Sequence, residues 1–187
     1  MSTLSDFETK FSANRLHGDP APPDLSLLLA NRAELARRTG IVLTDSESWA
    51  PWLDTSYLQE SDLADPEILA NIRAIADVCK FIDFVAEDED SNYYGYWRGP
   101  AHVALSKAPI VCLDNEGQFG FCGTANLAGA ILATVGPFDE LRSWLIGLGV
   151  ESLPSGPYDL FDLHVQPSPR QLHEELYEKY AAEKHTA

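Results

Sequence analysis

Cysteine is scarce in this 187-residue chain, which has only three cysteines and no Cys-x-x-Cys pair. Cys79, Cys112 and Cys122 lie in apolar or strand-like surroundings. An odd number of thiols without a paired spacing provides neither a disulfide framework nor a structural zinc set. We therefore expect three reduced, buried thiols, and this expectation favours a cytoplasmic location.

Long apolar runs are also missing. No run approaches the roughly 18 to 20 residues of a membrane-spanning helix, and residues 1–11 have neither the basic start nor the apolar centre of a secretory signal. These absences predict a protein with no membrane partner. Apolar residues make up 45% and charged residues 22% of the chain, as in ordinary globular domains, so one folded domain is expected.

Basic residues are few. The chain has 13 Lys and Arg against 29 Asp and Glu, which gives a formal net charge of −16. Between residues 39 and 97 there are 13 acidic side chains against only Arg73 and Lys80. Such a field repels nucleic-acid phosphates and attracts basic proteins, although an acidic surface also serves solubility alone. The sequence therefore predicts no nucleic-acid partner and favours a basic protein partner.

Catalytic motifs are absent as well. The sequence has no Gly-x-Ser-x-Gly, Gly-x-x-x-x-Gly-Lys or Gly-x-Gly-x-x-Gly segment, and its five histidines show no His-x-x-x-His spacing. We therefore expect no catalytic residue, no cofactor and no metal. One enzymatic alternative stays open. Asp114, Glu116 and His102, if they meet in a cleft, would supply the acid and base of a small hydrolase or isomerase.

The chain begins with a polar segment, residues 1–23, which ends in a stretch rich in Gly and Pro over 18–23. This composition is typical of an N-terminal arm, so a single domain is predicted over residues 24–187. Residues 41–64 carry little periodic pattern beyond a possible short strand at 41–43. The roles of 1–23 and 41–64 are not defined by the sequence.

Several helices are indicated by capping residues. Asp24 after the prolines and Gly40 bound the first predicted helix. Asp65-Pro66-Glu67 supplies an N-cap, a proline in the first turn and an acidic side chain, which together begin a second helix. Apolar spacing and breaking residues predict further helices over 126–132, 139–148 and 169–183.

Strands occupy the middle of the chain. Residues 81–86 and 92–98, joined by an acidic turn, predict one antiparallel hairpin, and residues 109–113 and 118–122 predict another. Hairpins between helices at the two ends indicate an α+β fold, with a central, mainly antiparallel sheet packed on one face by N- and C-terminal helices. The expected core contains Ile110, Val111, Leu113, Phe119, Phe121, Leu127 and Ile131.

Aromatic residues lie within the acid-rich segment. Strand alternation sends Tyr94 and Tyr96 to one face of the sheet and Tyr93 and Trp97 to the other. Such residues usually fill a core, but an exposed aromatic beside acids is typical of a protein-binding surface. We therefore predict a binding surface in this segment. Its residues are Trp49, Trp52, Asp88, Asp90, Tyr94 and Trp97.

The most distinctive sequence lies in Tyr94–Pro100, Tyr-Gly-Tyr-Trp-Arg-Gly-Pro, and in Ala108–Gln118, a proline-led strand that ends in Asp-x-Glu-Gly. Asn126-Leu127-Ala128 follows. These segments resemble the SUKH superfamily, which includes yeast cell-wall synthesis regulators and bacterial immunity proteins that neutralise polymorphic toxins. The resemblance covers about a quarter of the chain. Upstream of these segments, the sequence lacks the family's Leu-Pro-x-x-Tyr-x-x-Phe helix and the Asn-Gly that follows it. This departure is what a divergent branch of the superfamily would show.

The resemblance implies an α+β domain whose central sheet is flanked by helices and which binds a protein without catalysis. It also implies that Asp114, Glu116 and Gly117 form a structural turn. We therefore expect a cytoplasmic module that neutralises or regulates a basic protein partner, such as a toxin domain. A third alternative is an accessory protein that self-associates through its aromatic faces, and the sequence does not set the oligomeric state.

Overall fold

A computed structural model describes residues 6–124, 126–156, 159 and 166–183. Its centre is a five-stranded sheet in which every neighbouring pair is antiparallel and the strand order follows the chain. The predicted α+β class with a central antiparallel sheet is therefore confirmed. The strands are β1 (Val42–Leu43), β2 (Ile82–Glu87), β3 (Tyr93–Trp97), β4 (Ile110–Leu113) and β5 (Phe119–Phe121).

Helices flank the sheet in sequence and in space. None of those within the described ranges has the length and apolar character that crossing a membrane requires. The helices are α1 (Asp6–Arg15), α2 (Pro23–Ala30), α3 (Arg32–Thr39), α4 (Glu60–Ala64), α5 (Pro66–Cys79), α6 (Leu127–Thr134), α7 (Phe138–Gly147) and α8 (Pro169–Glu183).

The N-terminal segment differs from the predicted arm, because residues 6–15 form α1. Phe11 and Leu16 are fully buried in the main core. The buried Arg15 guanidinium donates to the backbone carbonyls of Glu47 and Trp49, both at 3.1 Å. Two buried apolar residues in a polar segment are too few to give a periodic signal, so the sequence pattern does not reveal this packing.

The first predicted helix is two helices, α2 and α3, which meet at Asn31 (φ −116°, ψ 20°). Gly40 ends α3 in the left-handed conformation (φ 71°), as its position predicts. Asp24 does not cap the helix start, because it lies in the first turn of α2 and is buried. Its carboxylate instead accepts from the backbone N–H of Ala128, at the start of α6 (3.2 Å).

Both predicted hairpins are present. Phe84 pairs with Gly95 in the first and Val111 with Phe121 in the second, and a bulge between Phe84 and Ala86 shifts the register of the first. Gly95 is required there, since a Cβ at this position would lie 2.6 Å from a methyl group of Ile82. Of the predicted core residues, Phe121 is half-buried and the rest are buried: Ile110, Val111, Leu113, Phe119, Leu127 and Ile131.

Helices cover both faces of the sheet, not one face as the sequence pattern predicts. The first face carries Tyr94, Tyr96 and Ile110 and packs against residues of α1, α2, α3, α6 and α7. The second face carries Phe84 and Trp97 and packs against α5, α8 and the loop that precedes α4. The predicted alternation of Tyr94 and Tyr96 against Tyr93 and Trp97 is thus present, with both sets facing a hydrophobic cluster.

The three cysteines are free. Burial raises the pKa of all three thiols, that of Cys112 to about 12. The thiolate is the nucleophilic form of cysteine, so these side chains are poorly reactive at neutral pH.

Candidate functional site

Two predicted binding residues are buried. Trp97 is 0% exposed, and its indole Nε1 donates to the carbonyl oxygen of Pro167 (3.1 Å). Tyr94 is 3% exposed, and its hydroxyl donates to Asp88 Oδ2 (2.9 Å). Helices cover both faces of β3, so neither side chain is available to a partner. Trp97 and Tyr94 are therefore structural residues, and the prediction of a binding surface is corrected for both.

Asp88, another predicted binding residue, organises the β2–β3 turn. Its carboxylate accepts from the backbone N–H groups of Asp90 (3.0 Å) and Asn92 (2.9 Å) as well as from Tyr94. Burial by itself would raise the pKa of Asp88, but these hydrogen bonds and those from the Asn92 side chain outweigh burial and lower it. Asp88 is therefore a turn residue that stays charged, whereas Asp90 is exposed.

The β2–β3 turn is tied to the β4–β5 turn. The Asn115 amide donates to the backbone carbonyl of Asp90 (3.1 Å). In the β4–β5 turn, Asp114 Oδ1 accepts from the backbone N–H groups of Glu116 (2.9 Å) and Gln118 (2.8 Å). Gly117 adopts a positive φ of 79°, where a Cβ would lie 2.9 Å from Ile75 Cδ1. The Asp-x-Glu-Gly segment therefore forms a tight turn that packs on α5.

Trp49 and Trp52 lie in the loop before α4 and are half-buried. The Trp52 ring lies 4.1 Å from that of Phe84 and 5.7 Å from that of Tyr93, measured between centroids. Trp49 Nε1 donates to Glu87 Oε2 (3.2 Å). Both indoles thus close the second face of the sheet, and each leaves part of its surface accessible.

Beside Trp52 lies a groove of about 500 Å³, which we call the acid-rimmed groove. The loop before α4, one side of α5, the start of β3 and the β4–β5 turn form its walls. Its residues are Pro51, Trp52, Asp54, Tyr57, Leu58, Ile68, Asn71, Ile72, Ile75, Ser91, Tyr93 and Leu113–Gly117.

The groove combines apolar and acidic surface. Its apolar part includes Ile68, Ile72 and Ile75, which α5 places at i, i+4 and i+7. Asp54 and Glu116 are exposed carboxylates of its lining. No Lys or Arg is among the described residues that line it. A basic side chain with an apolar neighbour therefore matches this surface in both charge and polarity.

Several carboxylates lie near Tyr93 in the groove. The pKa of its phenol is raised, first by burial and then by the negative charges of Glu87, Asp54 and Asp88. Hydrogen bonds from the backbone and side chain of Ser56 lower the pKa of Asp54, which is therefore ionised at neutral pH. Neighbouring charges that disfavour an anionic phenolate favour a cation at the same place.

A smaller depression of about 290 Å³ continues the groove, with which it shares Asn71, Glu116 and Gly117. On its α8 side, an imidazole nitrogen of His173 lies 2.9 Å from Asn71 Oδ1. Burial lowers the pKa of His173, so the imidazole is neutral at pH 7. Arg170 and Glu174 also line this depression, so its polar wall carries both signs of charge.

The three residues of the enzymatic alternative are not brought together. Asp114 follows Leu113, which pairs with Tyr93 at the start of β3. His102 follows the other end of β3, where its ring lies 5.8 Å from that of Phe81. Over the residues with described positions, no group of three or more His, Cys, Asp or Glu side chains is placed to share a metal ion.

The sequence pattern does not single out the exposed residues of the loop before α4. Tyr57 is 75% exposed and lines the groove, and Leu53 of the same loop is about half exposed. The apolar spacing of α5 can be read from the sequence, but it predicts a fully buried helix face as well as one that is partly open to a groove. Only the packing of α5 shows which part of that face is left open.

Comparisons with family models, with curated proteins and with solved structures give no match for this chain.

Proposed function

We propose that this chain is a non-catalytic protein-binding module, resembling the SUKH immunity proteins, and that it binds a basic protein partner through the acid-rimmed groove. The observation that carries the proposal is an apolar groove whose charged lining residues are acidic in the part of the chain that is described. The net charge of −16 adds long-range attraction for a basic partner. Binding would neutralise or regulate that partner, with a toxin domain as the example that the SUKH resemblance suggests.

Charge also favours a different protein over a second copy of this chain. Two copies placed groove to groove would bring Asp54, Asp114 and Glu116 of each copy together. Like charges across an interface cost several kcal/mol, whereas opposite charges speed association. A basic partner therefore fits this surface better than self-association does.

The direct test is co-expression of the chain with the product of the adjacent gene. We expect a stable complex by size-exclusion chromatography with light scattering and, if that product is toxic, recovery of growth. Tyr57→Ala should weaken the complex, because an aromatic anchor in an interface typically contributes about 2 kcal/mol or more. Ile146→Ala is the matched control, since Ile146 is also an exposed apolar residue (49%) but lies on α7.

Two outcomes would overturn the proposal. One is the absence of both a complex and growth recovery. The other is a complex that Tyr57→Ala and Ile146→Ala leave equally strong, because binding would then not use the groove. A stable dimer of the chain alone, dissociated by Tyr57→Ala, would favour the self-association alternative.

A further inference from the structure

Aromatic rings in the acid-rimmed groove are only partly covered. Tyr57 exposes 75% of its surface, and Trp52 and Tyr93, whose ring centroids lie 5.7 Å apart, are half-buried. Aromatic faces carry partial negative charge and attract cations placed over them. The exposed Tyr57 ring therefore offers a surface for a cationic group as well as for an apolar one.

Carboxylates lie along the same groove. Asp54, three residues before Tyr57, is charged at neutral pH because Ser56 donates hydrogen bonds to it. Glu116 comes from the β4–β5 turn and is exposed. Burial is the main cause of the raised pKa of the Tyr93 phenol, and the charge of Asp54 contributes to it, so Asp54 and Tyr93 are near each other in the groove. Carboxylates from two separate segments thus line a single apolar cleft.

We infer that the groove receives an arginine side chain of the partner, with the guanidinium between the Tyr57 ring and the carboxylates of Asp54 and Glu116. This inference rests on the binding function proposed above and names the chemistry that the groove recognises. An apolar residue next to that arginine would contact Ile68 and Ile72. The partner segment is therefore a basic and apolar one, and it contributes at least one arginine.

Arginine fits this site better than lysine does. The guanidinium is planar, stacks on aromatic rings and binds carboxylates with two parallel hydrogen bonds, whereas an ammonium is a compact and strongly hydrated charge. The molecule itself contains such an arrangement. The Arg73 guanidinium lies 3.8 Å from the centroid of the Tyr180 ring and pairs with Glu183 at 3.0 Å.

A library of random short peptides displayed on phage tests the inference without knowledge of the partner. The full chain is immobilised, and peptides that also bind an Asp54→Asn/Glu116→Gln variant are removed. Both substitutions keep an oxygen acceptor for the local bonds to Ser56 and Gln118. The matched control is Asp139→Asn/Glu151→Gln, which makes the same change in net charge at exposed positions that do not line the groove.

We expect the enriched peptides to contain arginine beside an aromatic or aliphatic residue. In fluorescence anisotropy, binding should weaken between about 50 mM and about 300 mM salt, since salt screens exposed charges. Replacing the arginine of an enriched peptide by glutamine should weaken binding at least about tenfold, and replacing it by lysine about threefold. The Asp139→Asn/Glu151→Gln control should bind like the wild type.

The two proposals fail in different ways. The arginine site would be overturned if the peptides that depend on the groove lacked arginine, or if replacing their arginine by lysine left binding equally tight. The proposed binding function would not be affected by either result. Both proposals would be wrong if the enriched peptides bound the wild type and Tyr57→Ala equally well. They would also be wrong if no peptides were enriched on the wild type relative to the Asp54→Asn/Glu116→Gln variant, because the groove would then not be a binding surface.

Discussion

The indole nitrogen of Trp97 lies 3.1 Å from the carbonyl oxygen of Pro167, so the end of β3 is hydrogen-bonded to the segment that leads into α8. The Trp97 ring is fully buried and packs against Phe81, with 6.3 Å between their centroids. One side chain therefore both fills the second face of the sheet and positions the C-terminal helix.

This double role predicts a large effect of Trp97 on the free energy of unfolding. Trp97→Ala should cost about 3 to 5 kcal/mol through lost burial and a cavity. Trp97→Phe should cost about 1 to 3 kcal/mol, since it keeps most of the ring but leaves the Pro167 carbonyl without its donor. Urea denaturation measures both values. Tyr57→Ala, at an exposed position, should stay within about 0.5 kcal/mol of the wild type, and an equal loss for Tyr57→Ala and Trp97→Ala would contradict this account.

Arg98 joins the α1–α2 connection to the sheet. One of its nitrogens lies 2.7 Å from Asp19 Oδ2 and 3.3 Å from Asp83 Oδ2, and His17 lies 3.4 Å from Asp83. Arg98→Met should cost about 3 kcal/mol, because it leaves the buried Asp83 carboxylate without its main partner. Asp19→Asn should cost less than about 1 kcal/mol, since Asp19 is half-exposed. Thermal unfolding of the two variants compares these values.

The effect of Arg98→Met should depend on pH. Burial raises the pKa of Asp83 above its ordinary value of 3.8, and the charge of Asp19 raises it further. The charges of Arg98, His17 and His102 act in the opposite direction, that of Arg98 most strongly. A carboxyl whose pKa is raised by folding stabilises the protein most at pH values below its ordinary pKa. This contribution is lost as the pH rises through the pKa of the folded state. The loss in Arg98→Met should therefore be smaller near pH 4 than at pH 7. Adding Asp83→Asn to the variant should recover stability at pH 7, and no recovery would show that the buried charge is not the cause.

Asp24 predicts a second pH dependence. Burial raises the pKa of its carboxyl, although backbone hydrogen bonds, the one from Ala128 first, lower it in part. Ionisation of Asp24 with rising pH therefore destabilises the fold. Asp24→Asn keeps an oxygen acceptor for Ala128 and removes this ionisation, so the variant should gain stability relative to the wild type between pH 4 and pH 7. Parallel urea titrations at several pH values would contradict the prediction if the difference stayed constant.

Asp88 should matter for stability and Asp90 should not. Asp88→Ala removes the acceptor for Asp90, Asn92 and Tyr94 and should cost about 2 kcal/mol at pH 7. Because folding lowers the pKa of Asp88, this contribution is present above pH 3.8 and is lost as the pH falls through the pKa of Asp88 in the folded protein. The difference in stability between the wild type and Asp88→Ala should therefore become smaller in acid. Asp90→Ala is the control, since the bond from Asn115 goes to the Asp90 backbone carbonyl. A similar loss in both variants, measured by urea denaturation, would argue against the role of Asp88.

Local signals in the sequence were enough to predict the hairpins and most helices. Asp65 accepts from the backbone N–H groups of Glu67 and Ile68, as expected for an N-cap. The turn at Asp114–Gly117 also follows from its residues, because Asp bonds nearby backbone and Gly accepts a positive φ. These features depend on neighbours within a few residues, which is the range over which a sequence pattern is informative.

Coverage of the sheet depends on contacts between distant segments. Alternation correctly separated Tyr94 from Trp97, but it does not say whether each face is covered. Trp52 reaches Phe84 from a loop without periodicity, and Pro167 reaches Trp97 from 70 residues away. The groove is not predictable from the sequence pattern for the same reason, because Tyr57, Ile72 and Glu116 come from three segments that only the folded chain brings together.

The agreement between strand order and chain order has a consequence for synthesis on the ribosome. From β2 to β5 each strand pairs with the next one along the chain, so this part of the sheet can form as it emerges, and pairing between neighbouring segments favours rapid folding. The helices of the first face that precede the sheet are available by then, but α8 emerges after the last strand. Until it docks, Phe119 and neighbouring apolar residues of the second face lack part of their cover, which leaves a nascent chain open to chaperones and to aggregation for that interval.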